Sequence, residues 1–241
     1  MADYCCFKFR PIDKYLLESL VHSVLYFPTR AQLNDPYDCN VDIMRTIDRA
    51  IQSEDGQDVE LLRNFRADQD SIARFNRGLE SLGVGSFSLN SQETLLWSHY
   101  ANDHKGVAVR YDFPEEFLNN EDEILGVSRV SYDPNAISDW LSRNIAQWRD
   151  DHKSFIIGLL KKVLMSKAPS WKYEEEARIV RPEAGPFMIP RTTLTHIILG
   201  LQTSPNDESL VRNIVDKYYE GVKYGRAVRT EEDFGLGIQE I

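Results

Sequence analysis

Three consecutive glutamates sit inside a run that otherwise reads as a β-strand, residues 171–180, WKYEEEARIV. Two aromatics open the run, and an arginine and two aliphatics close it. Alternate side chains on a strand share a face. One face would then carry Lys172, Glu174, Glu176, Arg178 and Val180, and the other Trp171, Tyr173, Glu175, Ala177 and Ile179. A row of acid, acid and base on one face is either a solvated ladder or the floor of an active site. The alternation also predicts a contrast inside the triplet: Glu175 is replaceable, whereas Glu174 and Glu176 are not if the chain has a catalytic site.

The rest of the chain reads as α+β, with a mixed, mainly antiparallel split sheet and helices inserted between strands. Aromatic or β-branched runs predict strands at 4–10 (ended by Pro11), 24–27, 84–89, 107–113, 126–132 and 195–201, with short final ones at 223–229 and 237–241. Apolar residues at helical spacing predict helices over 12–22, with Asp13 as N-cap, over 205–220, opened by Pro205, and over 136–165, broken near Asp150 and Asp151. Asn90 and Glu93 resemble a capping box that starts a helix over 91–102. Residues 42–82 read as amphipathic helices, broken near 53–57 and closed by Gly83 as a C-cap. No repeat or Pro/Gly-rich linker divides the chain, so 1–241 reads as one domain with a helical insertion at about 42–82.

Charge narrows the function. The formal net charge is -10, which argues against a protein that grips nucleic acid over a broad surface. A small, positively lined pocket for a nucleotide remains open. Cys5, Cys6 and Cys39 make a poor disulfide framework and lack zinc spacing, and the five histidines show no metal spacing with them, so no metal site is expected. No apolar run approaches the roughly 18 residues of a membrane span, and the first residues lack a signal-peptide layout. The expectation is a soluble, cytoplasmic protein without a membrane partner.

Phosphate-loop, dinucleotide G-x-G-x-x-G, H-E-x-x-H and nucleophile-elbow motifs are absent from the sequence. Residues 34–38, Asn-Asp-Pro-Tyr-Asp, are dense turn chemistry. They form either a plain turn or a loop presenting Asn34, Asp35 and Asp38 to a ligand. Lys161, Lys162 and Lys167 suit a helix C-terminus, or else contribute to anion binding.

Several segments together carry a resemblance: Lys8-Phe9-Arg10, Asn34 to Asp38, Ser86-Phe87-Ser88, Leu96-Trp97-Ser98-His99-Tyr100-Ala101-Asn102-Asp103-His104-Lys105-Gly106, and Trp171 to Arg178. They resemble a bacterial domain of unknown function, family 2971 (DUF2971), over residues from about 7 to 201. That family name brings no activity with it. More distantly, the order of a basic residue on the first strand, a Ser-x-Ser strand and a later Glu-x-Glu is similar to toxin-like mono-ADP-ribosyltransferases. This second resemblance implies an ADP-ribosyltransferase-like fold and NAD as substrate, or related cleavage of NAD's glycosidic bond, in a defence or toxin setting. It assigns Arg10 to an NAD phosphate and Ser86, with Ser88, to the nicotinamide ribose region. Glu176 would meet the ribose 2′-hydroxyl and the oxocarbenium-like charge. Glu174 would orient or deprotonate the acceptor, with Arg178 beside them. Trp97 and Tyr100 would stack on a ring, and Asn34, Asp35 and His99 complete the candidate cofactor-binding set. The acceptor macromolecule is unspecified.

Two other classes compete. In a non-catalytic ligand- or partner-binding module, Arg178 forms a surface ion pair with a neighbouring glutamate, worth roughly 0–1 kcal/mol, Asn34 and Asp35 merely build a turn, and Trp97 and Trp171 are core. In a metal-dependent hydrolase or nuclease, Asp35, Asp38, Glu174 and Glu176 surround Mg²⁺. The transferase reading requires Arg10, Ser86 and Glu176 to converge in one cleft.

Overall fold

The computed structural model describes residues 4–53, 57–230 and 235–241. In chain order the strands are β1 (Tyr4–Arg10), β2 (Val24–Phe27), β3 (Gly83–Ser88), β4 (Val107–Phe113), β5 (Gly126–Arg129), β6 (Glu176–Arg181), β7 (Gly185–Met188), β8 (Leu194–Leu199), β9 (Lys223–Arg229) and β10 (Leu236–Glu240). The α-helices are α1 (Lys14–His22), α2 (Ile43–Ser53), α3 (Gln57–Ala67), α4 (Gln69–Ser81), α5 (Thr94–Tyr100), α6 (Glu115–Leu118), α7 (Ala136–Asp150), α8 (His152–Leu164) and α9 (Pro205–Tyr218). Eight strands form one sheet in the order β10-β9-β8-β4-β1-β3-β6-β5, and β2 and β7 form a separate pair. Among the described strands of this sheet, β8 and β9 run parallel and the other neighbours are antiparallel. The expected α+β class with a mainly antiparallel sheet is therefore what the chain adopts.

Alternation along the strands sorts the core onto two faces. Val107, Val109, Tyr111 and Phe113 of β4 pack with Leu16 and Leu20 of α1 and Val211 and Val215 of α9. Ala108, between them, turns the other way, to Phe9, Leu96 and Trp97. On β6, Ile179 joins the first face and Val180 the second. Helices α2, α3, α4, α7 and α8 cover the second face beside β3 and β6. Phe65 and Phe155, fully buried and edge-on at 5.1 Å, tie α3 to α8. Burying such a ring contributes about 1.5–3 kcal/mol. The helices of the 42–82 region share this core with α7 and α8 and do not enclose one of their own. The break expected near 53–57 falls on residues 54–56, which lie outside the described residues.

The sheet is split in the middle. Strand β1 pairs with β4 along its whole length, from Tyr4–Phe113 to Arg10–Val107. Strand β3 pairs with β6 just as fully, from Gly83–Arg181 to Ser88–Glu176. Between β1 and β3 the register holds only at Phe7–Ser88, and beyond that point the strands part towards Arg10 and Gly83. An unpaired strand edge leaves backbone donors and acceptors without a ladder. Lys8 answers part of this by reaching across, its Nζ donating to the Ser86 carbonyl at 2.9 Å.

Several boundaries differ from expectation. Gly83 does not cap α4: Leu82 is the extended C-cap residue, and Gly83 opens β3. A Cβ at Gly83 would come within 2.7 Å of the Glu183 carbonyl oxygen, so close approach explains the glycine. Helix α5 starts at Thr94 under a Glu93 cap, because the Asn90 side chain builds a turn by accepting from Gln92 N at 2.9 Å. Strand β5 stops at Arg129. Residues 171–175 are not strand at all; their geometry belongs to the site. No helix among the described residues is long and apolar enough to cross a membrane.

The turn after α5 is tightly clamped. Asn102, Asp103 and His104 all have left-handed φ, at 48°, 53° and 65°. A Cβ on the following Gly106 would sit 2.2 Å from the Arg10 carbonyl oxygen, and one on Gly200 would sit 2.1 Å from that of His104. Both obstacles are backbone, so neither moves cheaply. Gly106→Ala is expected to destabilise the fold by about 1–3 kcal/mol through overpacking, seen as a lowered thermal midpoint. An unchanged midpoint would show that the turn has slack.

Candidate active site

The site forms where the split sheet, the loop after β2 and the segment leading into β6 meet. Pro169 occupies the first turn of a 3-10 helix, Pro169–Glu174, where its fixed φ is compatible. Glu175 then takes φ 44° and ψ 48°, the left-handed conformation, and its N–H donates to the Lys172 carbonyl. This reversal ends the helix and launches β6. The acidic run is thus helix, reversal and strand, and not the continuous strand read from alternation. The outcome for the triplet is nevertheless as that reading had it. Glu174 and Glu176 are buried side by side, while Glu175 points outward and accepts from Asn90 Nδ2 at 3.0 Å.

Two cations bind the acids together. The Lys167 ammonium lies 2.5 Å from Glu174 Oε2, 2.9 Å from Glu176 Oε2 and 3.6 Å from Asp38 Oδ2. It also lies 5.0 Å from the centre of the Trp171 ring. Arg178 is fully buried. Its Nε donates to Glu176 Oε1 at 2.6 Å, and its Nη2 to Asp38 Oδ2 at 2.6 Å and Glu176 Oε2 at 3.1 Å. Its Nη1 donates to the Leu164 carbonyl at 2.7 Å and Cys39 Sγ at 2.9 Å. A guanidinium has five N–H donors, and every one is engaged. The solvated ion pair expected of a binding module is not what Arg178 makes.

Three buried carboxylates against two cations leave one excess negative charge. Burial tends to raise the pKa of Glu176, but Arg178 and Lys167 outweigh it and hold the carboxyl down to about 2. Burial wins at Glu174, whose pKa is raised despite Lys167 and the Tyr100 hydroxyl, which donates to its Oε1 at 2.8 Å. The Cys39 thiol is pushed up to about 12, chiefly by burial, which makes it a neutral neighbour of Arg178 and no nucleophile.

Above this cluster opens a cavity of about 230 Å³, lined by residues that include Lys8, Arg10, Asn34, Asp35, Asp38, Ser86, Ser88, Tyr100, Lys167, Trp171, Glu174 and Glu176. Of the residues singled out from sequence, Arg10, Asn34, Asp35, Ser86, Ser88, Tyr100, Glu174 and Glu176 are brought together. Arg178 lies beneath the lining, so it positions Glu176 and does not reach a ligand. Trp97 is wholly buried, with its indole N–H on the Ser91 carbonyl at 2.8 Å and His104 stacked against it. His99 is exposed beside Tyr100 and does not line the cavity. The Ser88 hydroxyl is engaged by the Glu174 and Asn90 carbonyls, at 2.7 and 3.0 Å, which fixes the acidic segment against β3. Asp35 builds the turn and ties it to the acidic segment: its Oδ1 accepts from Tyr37 N and its Oδ2 from Trp171 Nε1, each at 2.9 Å.

Sequence reasoning missed Lys8 as a lining residue and misplaced Lys167. Lys167 lies beyond the end of α8, where its ammonium is taken up by Asp38, Glu174 and Glu176 and not by the helix C-terminus. Its only signal in the sequence was its position, the last cation before the acidic triplet.

The left-handed backbone at Glu175 allows a direct check. Such a conformation costs a non-glycine residue about 1–2 kcal/mol, whereas glycine loses roughly 0.5–1 kcal/mol through its freer unfolded chain. The two nearly cancel. Glu175→Gly is therefore expected to leave the thermal midpoint within a few degrees of wild type, and a large loss would show that the outward carboxylate is structurally needed.

A family model described as "Protein of unknown function (DUF2971)" matches residues 96–179. The matched segment supports the resemblance to that family. It contains Tyr100, Lys167, Glu174, Glu176 and Arg178, and leaves Arg10, the 34–38 loop and Ser86 outside. The comparison gives no support to a likeness with ADP-ribosyltransferases. No curated protein and no solved structure matches the chain.

Proposed function

We propose that the cavity binds NAD, breaks its nicotinamide–ribose bond and passes ADP-ribose to an acceptor. The observation that carries this reading is that Arg10, Ser86 and Glu176, from three separate strands, line one cavity with oppositely charged ends. Lys8 and Arg10 supply the cationic end and the Glu174–Glu176 pair the anionic one. NAD has the matching polarity, a diphosphate followed by a ribose carrying a cationic ring.

The chemistry follows from the two carboxylates. As the C1′–N bond breaks, its electron pair goes to the nicotinamide nitrogen and neutralises the pyridinium, while positive charge grows on the ribose. Glu176, held ionised in a largely dry site, lies where that charge develops, and electrostatic stabilisation of this kind is worth about 10²–10³ in rate. The acceptor's nucleophilic atom then bonds to C1′ and gives its proton to Glu174, whose raised pKa suits a general base. Arg178 and Lys167 hold the two acids apart in role.

The metal-dependent alternative is disfavoured by a positive feature: the Lys167 ammonium already sits among Asp38, Glu174 and Glu176, where a divalent ion would have to lie.

Incubation with NAD and detection of free nicotinamide by mass spectrometry tests the proposal, and no release above a protein-free blank would remove it. The pH profile tests the division of labour. Glu176 stays charged down to about pH 2, whereas Glu174 takes up its proton at higher pH than an ordinary carboxyl. On acidification, transfer to the acceptor is therefore expected to fail before nicotinamide release does. Parallel loss of both would contradict separate roles.

A further inference from the structure

A second cavity, of about 630 Å³, opens on the α1–β2 side of the sheet and shares Lys8, Arg10, Pro28 and Gln32 with the first. The cause is the split between β1 and β3. Lys8 and Arg10 are two apart on β1 and so project from the same side of the strand, opposite to Phe7 and Phe9, which pack with the α5 cluster. The two cations therefore stand at a passage through the sheet, one cavity on either side.

Both are poorly neutralised. Among the described residues, the Arg10 side chain makes no hydrogen bond or ion pair. Lys8 contacts the Ser86 carbonyl oxygen, which carries no full charge, and burial with Arg10 nearby lowers its pKa to about 8. Glu18 also lines the second cavity and Glu176 acts on Lys8 from the first, but among the described residues neither carboxylate forms an ion pair with either cation, so the two adjacent cations are left to meet a multiply charged anion.

Beyond them the second cavity is aromatic. Tyr15 of α1 is 59% exposed and Tyr26 of β2 46% exposed, and both face it. Tyr26 is steadied by its hydroxyl, which exchanges hydrogen bonds with the Gln32 side chain at 3.1–3.3 Å. Tyr15 carries the Lys14 ammonium 4.8 Å from its ring centre, and exposed tyrosine rings at the rim of a cavity are stacking surfaces for a planar base. The size of the first cavity points the same way. At about 230 Å³ it falls below the roughly 300–1,000 Å³ of sites that enclose a drug-sized ligand, so it has room for one end of a dinucleotide and not the whole.

We infer that the second cavity is the nucleotide subsite of the same cleft: it takes the adenine base between the tyrosine faces, with the diphosphate lying on Lys8 and Arg10 in the passage. The protein then recognises a dinucleotide and discriminates against nicotinamide mononucleotide. This inference rests on the NAD reading above, and its test separates the two.

ADP carries the base and the diphosphate without the nicotinamide. In isothermal calorimetry ADP is expected to bind the wild-type chain, to bind about tenfold more weakly after Tyr26→Ala and at least tenfold more weakly after Arg10→Gln. Glu175→Gln, outside both cavities, should keep it within about twofold. Absence of ADP binding, or binding that ignores both Tyr26 and Arg10, would overturn the inference. Nicotinamide release from the mononucleotide at the same kcat/KM as from NAD would overturn it too, while leaving the catalytic reading intact. ADP binding that depends on Tyr26 and Arg10, without nicotinamide release from either substrate, would support the subsite and remove the catalytic reading.

Discussion

Arg178→Ala is expected to destabilise the fold by about 3–5 kcal/mol, the range found when one partner of a buried ion pair is removed. For a chain of this size, that corresponds to a fall in thermal midpoint on the order of 10 °C. The reason is the completeness of the network. The guanidinium satisfies Glu176 twice, and Asp38, Cys39 and the Leu164 carbonyl once each. Its loss would strand two carboxylates that are 3% and 8% exposed. Lys167 contacts both, but it stands 3.6 Å from Asp38 and already serves Glu174. The expected response is partial neutralisation of the acids, so the same variant should raise the pKa of Glu176 and shift acid unfolding to higher pH. The sign follows from the direction of the shift. The lowered pKa of Glu176 contributes stability above the ordinary carboxyl range that is lost as pH falls towards about 2, and Arg178→Ala removes that contribution. Adding Glu176→Gln to Arg178→Ala should restore part of the midpoint, because neighbours in one network are not additive. A midpoint close to wild type in Arg178→Ala, by calorimetry or circular dichroism, would show that the network does not hold the site together.

Glu176→Gln has the largest expected effect on activity, a fall of about 10²–10³ in nicotinamide release. The substitution keeps the shape and one hydrogen-bonding oxygen. It removes the charge opposite the developing oxocarbenium and turns the cluster's one excess negative charge into none. Because Arg178 keeps Asp38, Cys39 and the Leu164 carbonyl, the fold should survive, and this separates the loss of chemistry from the loss of structure.

How much of this was readable beforehand can be judged residue by residue. Strands with simple alternation, such as β4 with Val107, Val109 and Tyr111, were legible because a half-buried strand leaves a period of two. Helices α1 and α9 announced themselves by Asp13 and by Pro205 ahead of apolar stripes. The entry to β6 was not legible. Its aromatics and alternating pattern mimic a strand, and what decides otherwise is Pro169 and a left-handed Glu175, a conformation that few sequences advertise. Strand β7 was hidden for a related reason: Gly185-Pro186 reads as a turn, yet Gly185 at φ 119° enters an edge pairing with β2.

The site was legible in its acids and less so in its cations. Glu174, Glu176, Ser86 and Arg10 were singled out by their order along the chain, and all four line one cavity. Lys167 could not, because lysines near a helix end have an ordinary explanation, and only the chain's return from α8 to β6 brings its ammonium among three carboxylates. Arg178 was assigned to catalysis because it shares a face with Glu176. Burial decides otherwise, since a guanidinium with every donor engaged and no exposed surface can support the site without touching a ligand. Trp97 teaches the same lesson: a motif tryptophan reads as a stacking platform until its indole is found on the buried face of α5, donating to the Ser91 carbonyl.

The central claim is that Glu176, and not its neighbour, faces the bond that breaks. Nicotinamide release from NAD, measured side by side for the wild-type chain, Glu175→Gln and Glu176→Gln, tests it most directly. Equal release is expected from the first two and a loss of at least about a hundredfold in the third, with circular dichroism showing all three folded. Equal release from all three, or none from any, would contradict it.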